Sequence, residues 1–203
     1  MKWTGTKALT EGARALRHSP PRVRPSSSGS LPPLTAGIVA LTVVGIAALV
    51  AVSQPSTRDD PDTERWYDNL DKSVATPPDV VFGVVWPLIE AASAYAGFRL
   101  LTRRSGVKRN SALGFLGFNL ALIPAFTKLF FGDRNLRGAT LSSMSLFAGA
   151  WGFVVTAWRA DRRAALAGLP LAAWVTFANY LQEEILRRND PELRQRAARM
   201  AGL

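Results

Sequence analysis

Hydrophobic and polar positions divide this chain into long uncharged runs separated by charged punctuation. Leu31 to Thr57 carries no charge over 27 residues, Asn110 to Thr127 none over 18, Gly138 to Trp158 none over 21 and Ala164 to Gln182 none over 19. Val80 to Phe98 carries a single charge, Glu90. A bilayer core about 30 Å thick is crossed by about 20 apolar residues in a helix. The pattern therefore predicts five spans, over about 34–53, 79–101, 111–131, 138–159 and 164–187. A water-facing helix shows a polar stripe, and these runs have none. The expected fold class is all-α, an integral membrane bundle of five transmembrane helices.

The flanks complete the organisation. Residues 1–30 are rich in Arg, Ser and Pro, with Glu11 the only acid, and read as a disordered basic tail. Such a composition fits an organelle transit peptide or a basic tail on the cytoplasmic side of a bacterial membrane; the second reading is favoured. The apolar run that follows is too long for a secretory h-region. The membrane domain is expected over 31–189, with a charged tail over 190–203. Pro32 and Pro33 mark the start of the first span, and Pro77 and Pro78 that of the second. Between them, residues 54–78 form the one long connection and the one acidic one. It carries Asp59, Asp60, Asp62, Glu64, Asp68 and Asp71 against Arg58, Arg65 and Lys72. A connection of that length is often functional.

Charge narrows the function classes. The net charge of +10 comes from 25 Lys and Arg placed almost wholly in tails and loops, where a membrane protein puts them. No basic face interleaved with aromatics faces water, so nucleic acid is not an expected partner. The tail and the loops after the second and fourth spans hold 13 basic residues against 10 on the other side, which favours an inside N-terminus. There is no Cys, and the only His is His18 in the tail. Thiolate chemistry, Cys-ligated metal and a His axial haem ligand in the membrane region are excluded, as is a Ser-His-Asp triad there. No cofactor is expected.

Residues 66–86 read WYDNLDKSVATPPDVVFGVVW and hold the strongest motif. Trp66, Tyr67, Leu70, Lys72, Pro77, Pro78, Phe82, Gly83, Val85 and Trp86 resemble the loop signature of the TspO/MBR family, the tryptophan-rich sensory and translocator proteins. Two further blocks agree in spacing: Phe130, Phe131 and Gly132 after the third span, and Asp161, Ala164, Pro170 and Trp174 at the fifth. Departures are Ser73 for a usual Pro, Glu90 for a common Tyr, Ile123 and Phe126 for a frequent Asn and Trp, and Leu171 and Gln182 for Tyr and Asn. The family's sterol motif allows at most five residues between Tyr and a basic residue. Tyr180 and Arg187 are separated by six, so no sterol binding is expected.

The resemblance implies an intramembrane pocket for a flat hydrophobic ligand, most often a tetrapyrrole. Aromatic walls and a few polar anchors suit such a ligand. The expected ligand-binding residues are Trp66 and Tyr67 as a lid, Trp86 and Trp174 as walls, Ala178 leaving room one turn past Trp174, and with them Pro78, Phe82, Ile123 and Phe126. Glu90 is either a protonated carboxyl bonded to a neighbouring helix or a polar anchor in the pocket; Lys128 is a candidate neighbour. Trp151 and Trp158 read as belt or packing residues, and Trp3 lies in the tail. The resemblance leaves open transport, sensing or metabolism of the ligand, light-dependent porphyrin breakdown, or regulation through a partner protein. No catalytic constellation is present in the sequence. Expected partners are the bilayer, a hydrophobic small molecule and, as an open alternative, a second copy of the chain.

Overall fold

The computed structural model describes residues 29–54 and 60–200. Residues 1–28 of the basic tail read over 1–30, with Trp3 and His18, lie outside the described residues, as do Arg58 and Asp59. Among the described residues the chain is helical, without strands. The helices are α1 (Pro33–Val52), α2 (Pro61–Asp68), α3 (Asp79–Leu101), α4 (Val107–Thr127), α5 (Leu136–Trp158), α6 (Arg162–Asn189) and α7 (Pro191–Met200). A π-helical turn, Lys128–Gly132, extends α4.

Five of these elements have the length and apolarity to cross a membrane: α1, α3, α4 with its π turn, α5 and α6. They close a ring in which α1 packs on α3, α3 on α6, α6 on α5, α5 on α4, and α4 back on α1. Their outer faces are apolar, with Leu34, Leu41 and Leu49 of α1 and Val84 and Leu88 of α3 exposed. Such faces would be unstable in water and suit lipid. α1 is the least enclosed, with 17% of its apolar window buried against 50% for α5.

Small residues bring α4, α5 and α6 together. A Cβ added at Gly168 of α6 would stand 2.3 Å from the Phe153 ring of α5. One at Gly149 of α5 would stand 2.8 Å from Asn119 of α4. Hydrogen there lets the backbones approach closely, the packing logic of helices in lipid. Pro87, Pro124 and Pro170 lie inside helices. Each removes a backbone donor that neighbouring helices and local adjustment tolerate.

Three sequence expectations change. The long acidic connection is not plain loop: Asp60 caps α2 by accepting from Asp62 N–H at 3.1 Å and from the Thr63 hydroxyl at 2.7 Å. The Thr63 bond holds the Asp60 carboxyl below its ordinary range. The charged C-terminal segment contains α7, whose preceding Asp190 accepts from the N–H groups of Glu192 and Leu193. The third span starts at Val107 rather than 111, and its end is not simple α-helix: Asp133 N–H reaches the Lys128 carbonyl at 2.8 Å. Arg134 follows with φ 51°, a left-handed residue that closes this wide turn.

At the opposite end of the bundle Asp161 ties three elements together. It caps α6 by accepting from the N–H groups of Arg163 and Ala164, and it pairs with Arg99 of α3 and with Arg103 beyond it. Burial raises its pKa, but the Arg103 bond, the Ala164 N–H and Arg99 together outweigh this and leave it lowered.

Candidate functional site

The sequence motif folds into a cap, a stripe and a cleft. The cap is α2. Trp66 meets the buried Phe130 ring edge-on at 5.4 Å, and Tyr67 meets Phe130 at 6.2 Å and Phe131 at 5.8 Å. Phe126 stacks on Phe130 at 5.8 Å. Phe130 is thus the hub on which α2 rests, and edge contacts of this kind add to area burial. Lys72 locks the turn after α2: its ammonium donates to the Tyr67 carbonyl at 2.6 Å and lies 4.2 Å above the Tyr67 ring.

A second attachment fixes the far end of the cap. Asp71 N–H donates to Asn189 Oδ1 at 2.9 Å, and Asn189 Nδ2 donates to the Asp71 carbonyl at 3.0 Å. Arg188 reaches the Asp71 carboxylate at 3.3 Å. The Asn189 end of α6 is in turn braced from α5, where Arg137 pairs with Asp190 at 2.6 Å and with Glu192 at 2.7 Å. The Arg137 bond, with the Leu193 N–H, lowers the Asp190 carboxyl to about 2. Each neutral hydrogen bond contributes about 1 kcal/mol, so losing the Asn189 pair should free the cap about 10-fold or more. The chain has no Cys, which makes Leu70→Cys a unique reporter under α2. Its maleimide labelling rate should rise about 10-fold in an Asn189→Ala background; an unchanged rate would show that the aromatic contacts alone hold the cap.

The stripe runs down α3. Phe82, Trp86 and Glu90 follow at i, i+4 and i+8 and share one face. Phe82 meets Trp174 of α6 edge-on at 5.3 Å, and Trp174 approaches Phe177 at 6.0 Å. Trp86 and Glu90, with Ile123 of α4, line a cleft whose remaining wall includes Val44, Ala47 and Ala48 of α1. Its free volume is about 10 Å³, room for about one water. Above it, Glu64, Tyr67, Asp68, Lys72, Thr76, Pro77 and Asp79 surround an open pocket of about 460 Å³. Burial, then the charges of Asp79 and Asp68, push the Tyr67 phenol up from its ordinary value.

The expected residues therefore fall into linked groups. Trp66, Tyr67 and Phe126 join in the cap, Phe82 and Trp174 pair, and Trp86, Glu90 and Ile123 share the cleft. Pro78 precedes α3 as its N-cap, and Ala178 is half-buried on α6. Trp174 and Ala178 do not line the cleft. Lys128 does not meet Glu90; its ammonium lies 3.7 Å from Asp133. Trp151 is 41% exposed and its indole N–H donates to Thr176. Trp158 is also exposed and carries Arg162 over its ring at 5.5 Å. Phe130 as hub, Asn189 as latch and Asp79 at the mouth were not among the expected site residues. Phe130 left a signal in the Phe130, Phe131 and Gly132 block, and Asp79 in lying seven residues before Trp86 on the same helical face.

A ring of five spans, capped at one end by a docked short helix and lined by aromatics, defines a multi-pass integral membrane protein. The TspO/MBR family model matches residues 38–188, and the chain belongs to that family. It is 31% identical over 128 residues to the human translocator protein, covering 62% of this chain and 75% of that protein. It is 30% identical over 130 residues to the tryptophan-rich sensory protein of Cereibacter sphaeroides, covering 62% and 78%. Over 132 residues it is 29% identical to protein CrtK of Rhodobacter capsulatus, covering 63% and 80%. These bacterial relatives support placement in a bacterial membrane.

Proposed function

We propose that this protein binds a flat hydrophobic ligand, a tetrapyrrole, between its helices and takes part in the transport, sensing or metabolism of that ligand. The observation that carries the reading is the Phe82–Trp86–Glu90 stripe, with Trp174 packed on Phe82 and a docked helix above it. Ligand pockets of this kind enclose about 300–1,000 Å³, so the closed cleft opens to bind. Its wall of Val44, Ala47 and Ala48 belongs to α1, the least enclosed span, where Gly45 has nothing within 4 Å of an added Cβ.

An aromatic platform contributes about 1–3 kcal/mol per stacked ring. Trp86→Ala and Trp174→Ala should therefore each weaken porphyrin binding by about 5- to 150-fold. Titration by Trp quenching in mild detergent measures this, with folding confirmed for each variant. Trp151→Ala, on the outer face, is the control and should bind within about 2-fold of the parent. Parent-like binding by both inner variants would sink the assignment and leave the aromatic stripe as packing.

A further inference from the structure

The two ends of the bundle carry very different charge. At the capped end, residues 60–79, 128–137 and 183–200 hold ten Lys and Arg against eleven acids. At the opposite end, residues 99–110 and 159–163 hold eight Lys and Arg against one acid, Asp161. Leu31 N–H donates to the Leu101 carbonyl at 2.9 Å, so α1 starts at this basic end. Residues 1–28, with six Lys and Arg and one acid, join the bundle there.

The eight cations divide by task. Arg99 and Arg103 are committed to Asp161, at 2.8 and 2.7 Å. The Arg103 pair also ties the connection after α3 to the connection before α6, so the two lie side by side. Arg109 donates from Nε to the Leu100 carbonyl at 3.1 Å and secures the end of α3. Arg162 lies 5.5 Å over the Trp158 ring. The other four, Arg104, Lys108, Arg159 and Arg163, are exposed. Among the described residues their side chains make no hydrogen bond or ion pair. Gathered on two adjoining connections, they repel one another and contribute nothing evident to the fold.

Their depth is set by the spans. Trp158 is exposed and ends α5, and a Trp at the end of a span sits at headgroup level. Arg159 is the next residue, and Arg163 stands in the first turn of α6. Arg104 lies just past the end of α3, and Lys108 in the first turn of α4. All four therefore stand where a span leaves the hydrocarbon.

We propose that this face is a docking surface for anionic phospholipid, with headgroup phosphates taken by Arg104, Lys108, Arg159 and Arg163. Charge and depth together choose the partner. A zwitterionic headgroup brings an ammonium that a basic face repels, whereas a headgroup of net negative charge brings none. Each Lys or Arg beside an anionic surface strengthens attachment about 5-fold. Nucleic acid would match the charge but has to come from the aqueous phase, while lipid phosphates already lie at this depth. The proposal does not depend on the tetrapyrrole reading.

The test adds an equimolar mixture of dioleoylphosphatidylglycerol and dioleoylphosphatidylcholine to the full chain in dodecyl maltoside and counts bound lipids by native mass spectrometry. The parent should take up phosphatidylglycerol over phosphatidylcholine by about 10-fold. Arg104→Gln/Lys108→Gln/Arg163→Gln should cut that ratio by about 5-fold or more. Arg194→Gln/Arg196→Gln/Arg199→Gln removes the same charge from α7, at the other end. The ends are about 30 Å apart, well beyond a screening length of about 10 Å, so this control should stay within about 2-fold of the parent. Circular dichroism confirms folding. Should the triple variant fail to fold, Arg104→Gln/Lys108→Gln should still cut the ratio by about 3-fold or more. Raising ammonium acetate should lower the parent's ratio, since salt screens exposed charge. Equal uptake of the two lipids by the parent overturns the proposal. Equal losses in the two triple variants overturn it as well, because they reduce the preference to net charge. An oligothymidylate that displaces phosphatidylglycerol from the parent would assign the face to nucleic acid instead.

Discussion

Asp161→Ala should lower the stability of the bundle by about 3 kcal/mol or more, because it strips the partner from clustered cations at a largely buried site. The Asp161 side chain is 1% exposed, and its carboxylate takes Arg99 at 2.8 Å and Arg103 at 2.7 Å. It also accepts from the Arg163 and Ala164 N–H groups as the N-cap of α6. Without it Arg99 remains 21% exposed with no carboxylate beside it, and its Nε already lacks a partner. Asp161→Asn keeps the cap, which contributes about 1 kcal/mol, and should fall between alanine and the parent. The pH dependence has a defined sign. The folded pKa lies below the ordinary aspartate value, so this stabilisation is present above the ordinary range and is lost as pH falls through the lowered one. Thermal unfolding in detergent, followed by circular dichroism, should show the midpoint of the parent dropping on acidification more steeply than that of Asp161→Asn. An alanine variant that unfolds like the parent would mean that water and lipid headgroups replace the carboxylate at little cost.

Phe130→Ala should cost about 3–5 kcal/mol, the range for removing a buried Phe ring. It should also release the cap. Phe130 is 3% exposed and meets Trp66, Tyr67, Phe126 and Phe131. The variant removes the shared platform for both lid aromatics, whereas Asn189→Ala cuts only the tether at Asp71. Labelling of Leu70→Cys should therefore accelerate more in Phe130→Ala than in Asn189→Ala. Phe130→Leu, which refills part of the cavity, should recover part of the stability and less of the cap protection, because the edge contacts need a ring. Equal labelling in Phe130→Ala and the parent would show that the tether holds α2 without the aromatic hub.

The two short helices absent from the sequence reading share a local signal. Both begin with Asp followed by Pro: Asp60–Pro61 and Asp190–Pro191. Asp caps the exposed N–H groups, and Pro is preset for the first helical position. That signal was legible. It was masked by the charge density of the segments, 8 residues in α2 and 10 in α7, which were too short and polar to stand out beside the spans. The π turn left no comparable trace. Within it Phe130 and Phe131 pack against Tyr67 of α2.

By itself the sequence determined the spans, because crossing lipid demands long uncharged helices and leaves charges only in the connections. It also determined the i, i+4, i+8 face of Phe82, Trp86 and Glu90, since helical periodicity fixes which residues share a side. Tertiary structure decided what each of them meets. It set Trp174 against Phe82, placed Ile123 across from Trp86, sent Lys128 to Asp133, and joined Asn189 to Asp71 across 118 positions. Those pairings depend on the order of helices around the ring and on close approach at Gly149 and Gly168, and local periodicity carries no record of either.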